Sequence, residues 1–449
     1  MKKLNVSIAG GGSTYTPGIL IGLIKKKETF PLKKLVLYDN DEERLSKMGE
    51  YAKILMREMY PELEVSYTTN PQVAFTDNDF VFCQIRTGGL KMRELDEKVP
   101  LKHGVIGQET CGPGGMSYGM RSIKDMIDLV NLVRKYNKDA WFLNYTNPAA
   151  IVAIALEREF PNDKRILNIC DQPINLQLAY AKMIDVDHNN LKLDYFGLNH
   201  FGWVTKVTDI TTNEDVTEKV RQQILVNGFA PVDKAQRDPS WLETYNNVKT
   251  MVKLDPTYLP NTYLQYYLIP NKVLSKLNPN HTRANEVMNG REHRVFAECE
   301  KVIKDNSISN VESIQIELTK KNAHGDMIVE IAESIYNDYE KYYIVIVKNN
   351  NIIENFEQDA MVEVLCKLGK SGAVPTKVGK IGTYYKALMQ QQYAYETLIV
   401  DAYYEESYLK VLQALTLNRT VVDQELAKEI LDDLIHMNGK YWPELKWDS

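Results

Sequence analysis

Through about residue 170 the polarity of the chain switches between two periods. The runs KLNVSIAG, KKLVLYD, EVSYTT, DFVFCQI, AWFLNYT and RILNIC are short, apolar and β-prone, and they predict strands. Between them TPGILIGLIKKK, the segment from Asp41 to about Met59, Ser122–Lys135 and Ala149–Glu159 carry helical spacing, with Pro17 suited to a first turn. Strands alternating with helices imply βαβ units and an α/β fold, a Rossmann-like doubly wound parallel sheet. Ligands bind such sheets beyond the carboxyl ends of the strands. Four polar clusters, GGGST, QIRTGG, NYTNP and CDQP, fall at those ends. Their shared placement points to one site.

After about Tyr195 the pattern changes. YFGLNHFGWVTKVTDI and YYIVIVKNN are β-rich without regular alternation, and VKNNNIIENF reads as a turn between strands. Long helices are expected around Thr282–Ile303 and Thr383–Leu415. This predicts two domains: residues 1–195 for nucleotide binding, and residues 196–449 as an α+β domain for substrate binding and oligomerisation that closes over the first.

Composition narrows the class without naming a chemistry. The chain has 449 residues, 44% hydrophobic and 25% charged, with net charge −6. Mild acidity gives no footprint for a nucleic acid. No run approaches the ~18 apolar residues of a membrane helix. The opening MKKLNVSIAGGG lacks a signal-peptide core, because glycines interrupt it. Five scattered cysteines suit reduced thiols better than a disulfide framework, so a cytoplasmic location is expected.

IAGGGSTYTPG follows one strand and opens a helix, the context of a dinucleotide loop. Gly10 suits the tight turn, Gly12 allows backbone close to a pyrophosphate, and Gly11, Ser13 and Thr14 complete the loop before a positive helix terminus. Tyr15 stands where a third glycine is usual, and a plain strand–helix turn is the competing reading. Asp39, ending the second strand, can accept from an adenosine ribose and disfavour a 2′-phosphate, which favours NAD over NADP. Its alternative role is a helix cap.

Cys170 and His200 offer a thiolate and an imidazole on successive strand ends, which can share a divalent ion or simply pack in the core. Two protein ligands would leave positions open for substrate. Arg93 and Arg283, expected in loops rich in Asn, Gly and Pro, suit an anion such as phosphate or a surface ion pair. Tyr263, Tyr266 and Tyr267 are either packing residues or the source of a base, if a tyrosine pKa falls from roughly 10.

Together IAGGGSTYTPG, YDND, GQETCGPGG, NYTNPAA, NICDQP, GLNHFGW, NTYLQYYL and NPNHTRANEVM resemble the family 4 glycoside hydrolases, from near residue 5 to the end. The resemblance implies NAD and a divalent ion of the Mn²⁺ kind held by Cys170 and His200. It implies oxidation at C3 of the sugar, C2 deprotonation by Tyr263, protonation of the leaving oxygen by Asp171, elimination, and water addition. Asp171 would then need a pKa raised well above roughly 4. Glu109 matches a position that makes the tyrosine more basic, and Arg93, Asn147 and Arg283 match substrate contacts. Cys111 acquires no role. An Asp after the metal cysteine, where β-specific members carry Asn, implies 6-phospho-α-glucosides such as maltose 6′-phosphate, in a homodimer or homotetramer. The rivals are a 6-phospho-β-glucosidase or another sugar within the family, a 2-hydroxyacid dehydrogenase, and a non-enzymatic NAD-binding sensor.

Overall fold

The computed structural model describes residues 2–228 and 239–447. The strands are β1 (Leu4–Ala9), β2 (Leu32–Tyr38), β3 (Glu64–Thr68), β4 (Phe80–Cys83), β5 (Trp141–Asn144) and β6 (Ile166–Asn168) in the first part. They pair in parallel in the order β3-β2-β1-β4-β5-β6, the doubly wound arrangement expected from the alternation. All of β4 is buried, as a continuous apolar run between two helical layers should be.

The later strands are β7 (Leu191–Leu198), β8 (Phe201–Asp209), β9 (Glu214–Asp215), β10 (Leu259–Pro260), β11 (Lys341–Lys348), β12 (Met361–Gly369) and β13 (Gly372–Pro375). They continue the same sheet in antiparallel fashion: β6 meets β11, and β12, β7, β8 and β10 follow. The division expected near residue 195 thus falls inside β7. The main apolar core also crosses it, joining Leu4 and Val6 to Met327, Val345 and Val364. A close helix pair reinforces this union. Thr16–Lys25, the helix after the glycine loop, lies against Ala323–Asn337, and a Cβ on Gly22 would sit 2.9 Å from the Gly325 carbonyl oxygen.

Several elements differ from their sequence expectation for identifiable reasons. The helix predicted from Ser122 begins at Gly112 instead, through the glycine-rich GPGGMSYG. Glycine disfavours helix by roughly 1 kcal/mol per residue. Here neighbours demand it, because Gly115 abuts the Thr110 backbone and a Cβ on Gly119 would meet Ile151 at 2.5 Å. The long helix expected over Thr383–Leu415 is two, Thr383–Glu405 and Tyr408–Leu417. They divide at Glu406 (φ +53°), and the Ser407 hydroxyl caps the second through Lys410 N at 3.1 Å. The helix near Thr282–Ile303 runs as Arg283–Glu286, a π turn over Val287–Glu292, and His293–Asp305. The turn in VKNNNIIENF forms between β11 and β12, tied by Asn349, whose side chain bonds Ile353 N at 2.8 Å and Glu357 O at 2.9 Å. Arg93 and Arg283 need correction: Arg93 sits on the helix Gly89–Lys102 and Arg283 begins the short helix Arg283–Glu286, neither in a loop.

Candidate functional site

At the carboxyl ends of β1, β4, β5 and β6 opens a cleft of about 740 Å³. The glycine loop forms one end. Gly10 has φ +81°, and a Cβ there would lie 2.8 Å from the Gln84 carbonyl oxygen, so only glycine fits. Gly12 N donates to Asp39 Oδ2 at 2.9 Å, and Asp41 N donates to Asp39 Oδ1 at 3.1 Å. The cap of the following helix is Asp41, which accepts from Arg44 N at 3.1 Å. That removes the capping reading of Asp39 and leaves its carboxylate facing the cleft. The Thr16 hydroxyl donates to Gly11 O and accepts from Gln84 Nε2, both at 2.9 Å, pinning the loop to the helix start. A preset turn, an open helix terminus and an acid at the second strand suit a dinucleotide.

Cys170 and His200 form the other end. Sγ and Nε2 are 3.4 Å apart, and both residues are buried. His200 lies at the β7–β8 turn with φ +63°, a left-handed position that aims its ring back across the sheet edge. Its Nδ1 is 3.1 Å from Thr110 Oγ1, and the Thr110 hydroxyl can place its own proton on Gln108 Oε1 at 2.9 Å. That assigns N–H to Nδ1 and leaves the Nε2 lone pair toward the cysteine. Burial lowers His200 to about 4, against the pull of Asp171 and Glu109, so the ring is neutral. Burial and the Asp171 and Glu363 charges push the Cys170 thiol well up. A divalent ion reverses that preference, and a neutral imidazole beside a thiol is a suitable donor pair. Among the described residues no group of three or more His, Cys, Asp or Glu could hold a metal ion, so any ion here takes further ligands from water or substrate.

Tyr263 stacks on His200 with centroids 3.9 Å apart and planes 7° from parallel. Its turn is set by Asn261, whose side chain accepts from Tyr263 N at 2.9 Å. Burial raises the phenol well above its usual value, and Tyr266 and Glu109 add to the rise. The protein groups therefore do not produce the expected fall in pKa, although the effect of Glu109 is in the direction of greater basicity. Glu109 is clamped by Arg86 Nη1 at 2.7 Å and Arg93 Nη1 at 3.2 Å. Burial pushes it up, but the two guanidiniums outweigh this and hold it at about 2.

Asp171 lies 3.4 Å from His324 Nδ1. Burial pushes the carboxyl up, yet the hydrogen bond and charge of His324 outweigh it and leave its pKa below the ordinary value. A raised pKa was expected for an acid. No local motif marks His324, which comes from a helix more than 150 residues away. The ring of His324 stacks on Tyr145 at 4.0 Å and Tyr15 at 4.3 Å, and Arg291 covers Tyr15 at 4.0 Å. Tyr15, in place of a third glycine, thus joins the loop to this column.

Gly10, Ser13, Thr14, Asp39, Glu109 and Asn147 line the cleft together with Cys170, Asp171, His200 and Tyr263. Gly11 and Gly12 shape the loop behind its surface. Asn147 Oδ1 is buried without a hydrogen-bond partner, a waiting acceptor. Arg93 lies behind the lining, bonded to Glu97 at 2.8 Å, and Arg283 lies outside it, paired with Glu286 at 2.6 Å. Arg86, Arg291, His324 and Thr110 were missed. Arg86 and Thr110 lie inside the clusters QIRTGG and GQET, so they were findable. Arg291 and His324 had no local signal.

Two family models cover most of the chain: the family 4 glycosyl hydrolase over residues 5–186 and its C-terminal domain over residues 195–421. The chain belongs to glycoside hydrolase family 4. This family 4 chain is 49% identical to the phospho-alpha-glucosidase PagL of Clostridium acetobutylicum, over 99% of this chain and 100% of that one. It is 46% identical to a maltose-6'-phosphate glucosidase of Fusobacterium mortiferum, with the same coverage. A crystal structure of a 6-phospho-alpha-glucosidase from gut microorganisms, in complex with NAD and Mn²⁺, superposes with TM-score 0.96 at 51% identity, covering 99% of this chain and 100% of that one. The 6-phospho-beta-glucosidase BglT of Thermotoga maritima is more distant, at 32% identity over 98% of this chain and 99% of its own.

Proposed function

We propose that this family 4 enzyme hydrolyses 6-phospho-α-glucosides, of the maltose 6′-phosphate kind, to glucose 6-phosphate, with NAD and a divalent ion such as Mn²⁺. The observation that carries the reading is the Cys170–His200 pair, 3.4 Å apart, beside Tyr263 and Asp171 in the cleft that begins at the glycine loop. The relatives named phospho-alpha-glucosidase and maltose-6'-phosphate glucosidase are nearer than the β-specific one, and they support the α assignment beside Asp171.

The residues divide the work as follows. Gly10 to Thr14 and Asp39 hold the dinucleotide, and Cys170 and His200 hold the ion. When bound, NAD⁺ supplies a reversible hydride acceptor for C3 and the ion a Lewis acid for the adjoining oxygens. Tyr263 takes the C2 proton on its phenolic oxygen, with Glu109 increasing its basicity. Asp171 delivers a proton to the departing glycosidic oxygen. His324 Nδ1, 3.4 Å away, orients that carboxyl and, against burial, holds its pKa below the ordinary value. Asn147, Arg93 and Arg283 are proposed substrate contacts. Asn147 already presents a free acceptor, whereas the guanidiniums that line the cleft here are Arg44, Arg86 and Arg291. Residues 1–195 bind the nucleotide and also supply Glu109, Asn147, Cys170 and Asp171, and residues 196–449 supply His200 and Tyr263 and serve substrate binding and oligomerisation. A cytoplasmic homodimer or homotetramer is the proposed working form. Five buried free cysteines suit that compartment.

The test uses p-nitrophenyl-α-glucoside 6-phosphate and its β anomer, with NAD⁺ or Mn²⁺ omitted in turn. α-Selective release that needs both additives is expected. Release from neither anomer under any condition overturns the assignment and favours a hydroxyacid screen.

A further inference from the structure

Behind the Cys170–His200 pair lies a buried carboxylate that the reaction outlined above does not use. Glu363 is on β12, opposite Gly197 of β7, and is fully buried. Its Oε1 accepts from Asn199 Nδ2 at 2.9 Å, and Oε2 has no hydrogen-bond partner. A buried acid is costly unless its setting is put to use. Asn199 immediately precedes His200 in the β7–β8 turn, and His200 Nε2 lies 3.4 Å from the Cys170 sulfur. The Asn199–Glu363 bond therefore ties the turn that carries the imidazole to a late strand.

The same carboxylate faces a second buried polar group. The Tyr195 hydroxyl, also buried, belongs to the residue two before Gly197 on the same face of β7, diagonal to Glu363, and burial, with the Glu363 charge adding to it, raises its pKa well above the ordinary value. That hydroxyl accepts from Asn261 Nδ2 at 3.1 Å, while Asn261 Oδ1 accepts from Tyr263 N at 2.9 Å. The turn that aims Tyr263 is thus braced by groups converging on Glu363. Outer groups of this kind orient a metal ligand and strengthen its donor character.

We propose that Glu363 is a positioning residue shared by both halves of the reaction centre, orienting His200 against Cys170 through Asn199 and the Tyr263 turn through Tyr195 and Asn261. The inference rests on the proposed metal site and extends it to a third strand. It also gives β12 a part in the chemistry: a strand of the antiparallel portion of the sheet, between β11 and β7, supplies the brace for both.

The experiment replaces Glu363 by Gln, which keeps the volume and one acceptor, in the full-length chain. Co²⁺ is titrated as probe, and its affinity and the thiolate-to-cobalt charge-transfer absorption are read without substrate. Glu363→Gln is expected to weaken Co²⁺ binding roughly 10- to 100-fold and to shift that absorption, while NAD⁺ affinity stays at the parent value. Tyr195→Phe, which breaks only the second arm, is expected to keep Co²⁺ affinity and to slow solvent exchange of the substrate C2 proton. Unchanged affinity and absorption in Glu363→Gln, with unchanged exchange in Tyr195→Phe, overturns the inference. Cys170→Ser separates the two levels. If it abolishes the absorption while Glu363→Gln leaves it intact, only the brace fails. If Cys170→Ser itself leaves the absorption intact, the metal-site reading fails and the brace with it. Should Glu363→Gln not fold, Asn199→Ser breaks the same link to the His200 turn from the other side and is read by the same titration.

Discussion

The two ends of the cleft are built on different principles. At the nucleotide end the working groups are backbone amides and one carboxylate, drawn from a strand, a turn and the next strand. Gly10 to Asp39 spans only thirty residues of chain, and Asp39 itself holds Gly12 N at 2.9 Å. At the chemical end the proposed working groups are side chains from widely separated segments: Glu109, Cys170, His200, Tyr263 and His324. They are held by stacking and by buried charge pairs such as Arg86–Glu109. An end made of backbone tolerates changes in side chains but no Cβ at its turn. An end made of side chains tolerates backbone variation but not the loss of one functional group. The lesson is that one site can combine a locally encoded half with a half that exists only after folding.

The sharpest way to break that contrast is at the phenol. Tyr263→Phe should slow turnover by about 10²- to 10⁴-fold and abolish exchange of the C2 proton with solvent, with NAD⁺ affinity unchanged. Undiminished exchange, followed by NMR in deuterated buffer, removes Tyr263 as the base. Cys170→Ser comes next. Metal affinity should fall at least ~100-fold and activity with it, again leaving the nucleotide end intact. A parallel loss of NAD⁺ affinity would show that the ends are coupled and that the contrast is too simple.

At the other end, Gly10→Ala should cost about 1–3 kcal/mol from its left-handed φ alone, with more from the Gln84 carbonyl. Weaker NAD⁺ binding with Co²⁺ affinity retained would sharpen the comparison, and denaturant unfolding gives the stability cost. The smallest effect concerns the scaffold. Glu396, on the helix Thr383–Glu405, is raised by burial from 4.5 to about 8 despite its Gln392 hydrogen bond. The folded chain holds a proton that the unfolded chain has released. Stability from this source is therefore present below the unfolded value and is lost as pH rises through the folded one. Glu396→Gln lacks that loss, so its Tm relative to the parent should improve on going from about pH 5 to about pH 9. A pH-independent difference would place the ionised carboxylate in the folded state at neutral pH.

The strands and most helices of the first part were legible because their signals are local. KLNVSIAG and KKLVLYD are apolar runs of strand length, and the burial of β1 and β2 follows from that. Gly10, Asp39 and the CDQP turn were legible for the same reason. The helix beginning at Gly112 was not, because glycine propensity argues against it and only the approach of Thr110 and Ile151 explains it. His324 and Arg291 were not legible either. A histidine and an arginine have no local mark of function, and their column with Tyr15 and Tyr145 is a product of packing. The expected rise in the Asp171 pKa was inferred from the role of an acid, and the contact with His324 produces the opposite direction.

By itself, then, the sequence determined the alternation that makes a parallel sheet, the loop that suits a dinucleotide, and the ordered motifs that place the chain in its family. These depend on residues within a turn or two of each other, where spacing and conformational preference act directly. Only the tertiary structure decided that the later strands extend the first sheet, that Thr110 sets the His200 tautomer, and that Glu363 meets Asn199 beside His200. Those facts depend on distances between residues far apart in the chain. Such distances are set by the closure of the whole core, not by any pattern within one segment.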